Sequence, residues 1–460
     1  MTEPNTEYRE LVARLRATFD SGRTRTLKWR RAQLDAMQRM LEENEDAIVK
    51  ALHDDLAKPA QEVVLGETSL VFSEIRHARS RIERWSRPRK VPTPPVAQPG
   101  RSFIQPDPLG VALIIGAWNY PIQLVLAPLV PAIAAGNCAV LKPSEVTPGA
   151  SRVLAELVPQ YLDREAFAVV EGAVPETTAL LEQKWDHIFY TGGAAVGRIV
   201  MKAAAEHLTP VTLELGGKSP AIVDRCADLK SAARRLAWGK SLNAGQTCIA
   251  PDYVLVSPEQ KDALIEALRD QFRAMLGPDP LASDDYAAVV NEKHFERLSA
   301  LLRQGRAVIG GQAETATRKI APTVLTDVEL DSDLMREEIF GPILPIVETR
   351  DLDGAIEFVR RGDKPLSAYL FTKSSASEKK FLRELACGSV CINDVMMFMS
   401  VPELPFGGVG NSGMGQYHGQ AGFERFSHMK SVIKRGRFPE VTIRFAPYSG
   451  LKTRLLKWFA

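Results

Sequence analysis

Residues 111–142 read VALIIGAWNYPIQLVLAPLVPAIAAGNCAVLK. VALIIG (111–116) is an unbroken apolar run closed by glycine, as a strand covered on both faces requires. The segment after Pro121 has helical length and stops at Gly136, and CAVLK (138–142) is a second buried strand. Together they make a βαβ unit. No residue from Leu109 to Leu141 is charged, and a long apolar run can also announce a membrane span. Here Asn119, Pro121, Gln123, Pro128, Pro131, Gly136 and Asn137 cut it into pieces too short to cross a bilayer, so no transmembrane segment is expected.

Downstream the pattern repeats. FAVVEG (167–172) and DHIFYTG (186–192) read as strands, and VGRIVMKAAAEHL (196–208) as a helix, which points to a parallel sheet of the dinucleotide-binding kind. From Thr212 to about Ser400 a second α/β unit is expected, with VTLEL, AIV, YVLV and PILPIV as strands and KDALIEALRDQFRAML as an amphipathic helix. Upstream, residues 5–85 carry spacings such as Leu34, Met37 and Leu41 that suit amphipathic helices, and RTRTLKWRR (23–31) reads as a solvated helix face. Seven prolines between Pro88 and Pro108 exclude a helix there and predict an extended arm. The tail from Gly407 is loop-rich, then basic, and ends in the short amphipathic YSGLKTRLLKWFA.

A chain of 460 residues predicts more than one domain, and 45% hydrophobic with 25% charged residues is a globular composition. A net charge of +2 gives no pull toward nucleic acid. The five cysteines, Cys138, Cys226, Cys248, Cys387 and Cys391, lack zinc-ribbon spacing and suit free thiols in a reducing cytoplasm. No metal site is expected, and Cys387 with Cys391 reads as structural.

Taken singly, the candidate chemical groups stay ambiguous. TGGAAVG (191–197) follows a strand and opens a helix, as a phosphate cradle does, but lacks the G-x-G-x-x-G spacing and equally suits a tight turn. Glu214 in LELGGKSP (213–220) is either a surface carboxylate or an acid/base. Cys248, in SLNAGQTCIA (241–250), reads alone as a small buried hydrophobe before it reads as a nucleophile.

Their order removes the ambiguity. Trp118-Asn119-Tyr120-Pro121, Lys142-Pro143-Ser144-Glu145, TGGAAVG, LELGGK, GQTC, Glu338-Ile339-Phe340-Gly341-Pro342 and PFGGVGNSGMG (405–415) together resemble the aldehyde dehydrogenase superfamily over nearly the whole chain. GQTCIAPDYVL and GNSGMGQYHG followed by FERFSH are similar to its class 3 branch. The resemblance implies an α/β fold: a Rossmann-type dinucleotide-binding domain (1–85 and 106–211), a second α/β catalytic domain (212–404), and a small β oligomerisation arm from the bridging segments 86–105 and 405–460. A homodimer is implied with it.

By the same resemblance Cys248 attacks an aldehyde carbonyl, Asn119 and the backbone N–H of Cys248 hold the oxyanion, and Glu214 activates the water that releases a carboxylic acid. Relatives that pass the acyl group to coenzyme A tend to lack that glutamate. The cofactor is implied to be NAD, with NADP also open. Its site is expected at Ile115, Gly116, Trp118, Lys142, Ser144, Glu145, Thr191, Gly192, Gly193, Val196, Gly197, Leu215, Gly216, Glu338 and Phe340. Gly193 departs from the many members with a hydroxyl or amide there. Tyr120, Trp238, Asn243, Thr247, Met396 and Met399 are expected to line the substrate entrance and to favour medium or long aliphatic and aromatic aldehydes. His418 fits a site role and a structural role equally. A cofactor-independent thiol esterase and a non-catalytic binding protein are the competing readings.

Overall fold

The computed structural model describes residues 4–436 and 442–459. Its first sheet has six strands, in the spatial order Gly413–Met414, Val211–Glu214, His187–Thr191, Val111–Ile115, Cys138–Lys142 and Phe167–Val169. The last five run parallel, and Gly413–Met414 adds to the edge antiparallel. Every residue of Val111–Ile115, Cys138–Lys142 and His187–Thr191 is buried, which is why these strands read as continuous apolar runs rather than alternations. The chain builds outward from Val111–Ile115 to Phe167–Val169, then returns to place His187–Thr191 on the other side. The crevice beyond Ile115 and Thr191 is therefore the topological switch point where α/β sheets take ligands.

Helix Gln123–Ala135 between the first two strands is buried along its whole length and contains Pro128 and Pro131. Gly136 ends it in the left-handed conformation. Two groups from the N-terminal helices stop its carbonyls: Thr24 Oγ1 donates to Gly136 O at 2.7 Å and Arg30 Nη1 to Ala134 O at 3.0 Å. A guanidinium at a helix C-terminus complements the dipole there.

The second sheet has seven strands, ordered Arg306–Ile309, Thr323–Thr326, Ile343–Glu348, Tyr253–Val256, Pro220–Val223, Ser367–Phe371 and Ser389–Ile392, with only the first pair antiparallel. One expectation is corrected here. The strand Val211–Glu214, read as the start of the second α/β unit, pairs with His187–Thr191 and completes the first sheet, because its buried residues pack on that sheet's helices. Thr191 lies opposite Glu214, so the carboxylate is delivered to the rim of the crevice.

The Pro-rich stretch forms strands Arg89–Val91 and Gly100–Pro108, and Ser427–Arg435 pairs with the latter over nine residues. Both segments of the β arm implied by the resemblance contribute to this three-stranded sheet, although no apolar alternation announces its C-terminal strand. Among the described residues no helix is long and apolar enough to cross a membrane.

Candidate active site

Helix Leu229–Ser241 runs into a turn in which Asn243, Ala244 and Gly245 all have left-handed backbone, with φ of 51°, 51° and 71°. Two of these are not glycine, and such strain persists only when the surroundings impose it. Gln246 imposes it here. Its side-chain amide donates to Asn243 O at 3.0 Å and Ala288 O at 2.9 Å, and accepts from Val290 N at 3.0 Å. The turn delivers Cys248, half-buried, to a cavity of about 120 Å³. Burial pushes its thiol up, the carboxylates of Glu338 and Glu214 add to that, and the N–H groups of Cys248 and Ile249 oppose it. The resting sulfur is neutral and needs a base to act as a nucleophile.

Of the residues expected around this cavity, Asn119, Tyr120, Trp238, Thr247, Met396 and Met399 line it. Tyr120 Oη and Thr247 Oγ1 share a hydrogen bond of 2.8 Å. Asn119 Nδ2 donates to Gln246 O at 3.0 Å, which uses one of its two N–H groups. Asn243 is the exception. It lies fully buried beneath the cavity, its amide donating to the carbonyl oxygens of Asn119 and Gln246 at 2.8 and 3.2 Å. The reason is its left-handed backbone, which turns the side chain inward. Leu65, Gln123, Phe406 and Tyr417 also line the cavity and were not foreseen. Tyr417 could have been, since it precedes His418 in the QYHG motif; Leu65 has no such signal. His418 itself is buried behind the cavity wall, its ring against those of Tyr417 and Phe406 and its Nδ1 at 2.9 Å from Glu74 Oε1.

Glu214 is 3% exposed, and among the described residues neither carboxyl oxygen has a hydrogen-bond partner. Burial drives its carboxyl far above the usual range, with Arg425 pulling the other way. Buried polar atoms are nearly always satisfied, so two orphan oxygens at the crevice mark a place where a ligand or water completes the bonding. Thr191 Oγ1 is a third orphan on the same rim.

These features fit a dinucleotide. Gly193 caps helix Ala194–Glu206, and a side chain added there would meet nothing within 4 Å, leaving an open cradle at a helix N-terminus. Gly192 N–H donates to Glu214 O at 3.0 Å and fixes the loop. Gly116 leaves no room for a side chain beside Val125, and Gly197 is closed by Leu215. Val196 is exposed on the first turn of that helix. Lys142 and Ser144 are buried at the end of their strand, with Glu145 exposed beside them. Burial lowers the Lys142 ammonium, while Glu145, Glu176 and Glu171 raise it.

Across the crevice, Glu338 rests its carboxylate on Gly216 and accepts the N–H of Gly217. Burial and Asp252 push it up to about 8. Phe340, also left-handed at φ 49°, places its ring edge-on to Trp118 at 5.3 Å. A clamp not foreseen from the sequence holds this stretch on both sides. Lys218 Nζ donates to Leu334 O at 2.9 Å and Glu337 O at 2.7 Å and pairs with Asp252, whose Oδ1 accepts Ile339 N at 3.0 Å. Residues 214–218 thus carry Glu214, the seat of Glu338 and its clamp.

The family model that matches residues 3–432 is described as the aldehyde dehydrogenase family. The chain is 46% identical over 450 residues to aldehyde dehydrogenase family 3 member A2 of Mus musculus, covering 97% of this chain and 93% of that protein. It is 45% identical over 447 residues to "Aldehyde dehydrogenase, dimeric NADP-preferring" of Canis lupus familiaris, covering 97% and 99%. Its fold is similar to a solved structure titled "Substrate bound state of Staphylococcus Aureus AldH", with a TM-score of 0.95, 42% identity and 98% of both chains covered.

Proposed function

We propose a division of labour at this site for a chain that belongs to the aldehyde dehydrogenase family. It is an NAD(P)-dependent oxidoreductase that converts aldehydes to carboxylic acids. Cys248 gives its thiol proton to solvent water and its Sγ attacks the aldehyde carbon. The remaining N–H of Asn119 and the N–H of Cys248 hold the developing oxyanion; one such donor is typically worth about 3 kcal/mol. The bound dinucleotide supplies the hydride acceptor that brings the substrate to the oxidation level of an acid. Glu338 and Phe340 would hold its nicotinamide end, the 191–197 loop its phosphates, and Lys142, Ser144 and Glu145 its adenosine ribose. The acyl group left on Cys248 is a thioester, and Glu214 takes the proton from the water that cleaves it.

The observation that carries this reading is the buried carboxyl of Glu214 with two unpartnered oxygens, electrostatically coupled to the Cys248 thiol. A structural carboxylate would have been given partners. In Glu214→Gln, one equivalent of NADH still forms in a rapid burst, while steady-state turnover falls by about a hundredfold or more, the usual worth of a general base. Equal loss of burst and steady state overturns the assignment.

The cavity wall of Leu65, Trp238, Met396, Met399 and Phe406 supports medium or long aliphatic and aromatic aldehydes as substrates. A screen of rising aliphatic chain length beside aromatic aldehydes, with NAD and NADP in parallel, tests both choices. Glu145 near a ribose hydroxyl favours NAD, by repulsion of a 2′-phosphate. The exposed edge strand Arg89–Val91 supports assembly of two copies through the arm, and the free thiols support a cytoplasmic setting. We divide the chain into dinucleotide-binding (1–85, 106–211), catalytic (212–404) and bridging (86–105, 405–460) parts, with the strand ending at Glu214 lying in the first sheet.

A further inference from the structure

We propose that Lys58 and Glu67 are positioning residues for the reaction, a buried ion pair that sets the place of the Asn119 amide. Both side chains are fully buried, and Lys58 Nζ lies 2.8 Å from Glu67 Oε1. The pair is spent on one short segment of chain. Lys58 Nζ donates to Asn119 O at 2.9 Å and stands 4.2 Å from the centre of the Tyr120 ring. The other oxygen of Glu67 accepts Ile122 N at 3.1 Å and Gln123 N at 2.9 Å. Helix Gln123–Ala135 has no side-chain cap of its own at Ile122, so Glu67 caps it from a distant segment.

The local backbone is shaped to make this possible. Residues Val64–Thr68 form a π-turn, an irregularity that recurs at functional sites. It brings Gly66 so near Tyr120 that an added side chain would stand 2.8 Å from the ring. A buried ion pair is a poor stabiliser compared with apolar groups of the same size, so stability alone does not account for it. Its geometry accounts for it better: residues 119–123 carry the oxyanion donor, a cavity wall and a helix start.

The Asn119 carbonyl receives two donors, Lys58 Nζ and Asn243 Nδ2, and its amide gives one N–H to Gln246 O. Asn119 is thereby fixed at both its main chain and its side chain, which leaves its second amide N–H available to the cavity that Asn119 and Cys248 both line. Without the pair, the main chain at 119 loses its charged partner and the turn its cap. This inference rests on the reading of Asn119 as the oxyanion donor.

The test uses the full-length protein with Lys58→Met/Glu67→Gln, which removes both charges of the pair together, so that neither partner is left as a lone buried ion. Aldehyde oxidation and cofactor-free hydrolysis of 4-nitrophenyl acetate both pass through an oxyanion on Cys248. We expect kcat for both to fall by about a hundredfold, with KM within about threefold, as for a donor misplaced by about 1 Å. Alkylation of Cys248 by iodoacetamide, which forms no oxyanion, should keep its rate. In an Asn119→Ala background the double replacement should cost almost nothing more. If the losses multiply in full in that background, or if ester hydrolysis is spared, the positioning role is overturned. If Asn119→Ala alone leaves both reactions at their normal rate, it is the oxyanion reading that fails.

Discussion

Replacing Gly216 with alanine isolates the seat of Glu338. The backbone at Gly216 lies outside the left-handed region, so the substitution tests space alone. The new methyl would overlap Glu338 Oε2 outright and stand 2.7 Å from Cδ and 2.9 Å from Oε1. Ordinary carbon contacts begin near 3.5–4.0 Å, so the carboxylate must retreat by about 1 Å. That movement takes it off the N–H of Gly217. A hydrogen bond to a charged group is worth about 1.5–3 kcal/mol, which converts to a loss of roughly ten- to a hundredfold in kcat/KM for the dinucleotide. Gly450→Ala, at the start of the C-terminal helix and outside the site, is the matched control, because its methyl meets nothing within 4 Å, and it should change the same quantity by less than about twofold. The assays are quenching of tryptophan fluorescence by NAD and NADP, steady-state NADH formation, and hydrolysis of 4-nitrophenyl acetate without cofactor. Ester hydrolysis should persist in both variants. A Gly216→Ala enzyme with unchanged affinity and turnover would refute the idea that Glu338 holds the dinucleotide from this seat. An equal fall in ester hydrolysis would show damage to the whole site instead.

Two further outcomes follow from buried charges. Lys218→Met/Asp252→Asn loosens the clamp on residues 334–339, so dinucleotide affinity should drop by about tenfold or more while the alkylation rate of Cys248 holds; equal changes in both would count against the clamp. His187 is buried beside Thr212, and burial, with Arg425 second, holds its ring down to about 3 against an ordinary 6.5. Below pH 6.5 the unfolded chain gains a proton that the folded one refuses, so this contribution to stability is complete above 6.5 and is lost as pH falls toward 3. The slope is about 1.4 kcal/mol per pH unit between those limits. His187→Gln should remove it from urea-unfolding free energies measured from pH 6 to 4.5, and an unchanged slope would contradict the assignment.

The parts of this molecule that were legible in sequence are those where one physical demand dominates. Strands buried on both faces must be apolar throughout, so residues 111–142 declared the βαβ unit, while the switch point became visible only in the strand order. Cys248, Asn119, Glu214 and Glu338 were legible only as an ordered set, since each side chain alone has a commoner structural use. What escaped notice depends on contacts between distant segments. Lys58 and Glu67 look like ordinary surface charges on a helical stretch, and nothing local says that they are fully buried beneath Asn119. Asn243 was expected at the entrance from the family resemblance, but with its backbone left-handed its amide bonds to the Asn119 carbonyl beneath the cavity. Strand Ser427–Arg435 is polar on most positions, and its pairing with Gly100–Pro108 is a property of register rather than of pattern.

That pairing has a consequence for biosynthesis. Asp107 and Lys430, which meet across the two strands, are 323 residues apart. At about 5–20 residues per second, a ribosome leaves the first strand without its partner for roughly a quarter of a minute to a minute. During that interval Gly100–Pro108 is a nine-residue edge with open hydrogen-bonding groups, held apart from neighbouring nascent chains by the five prolines of its upstream arm. A chain cut short before Ser427 would keep that edge open, since the strand that covers it would be missing.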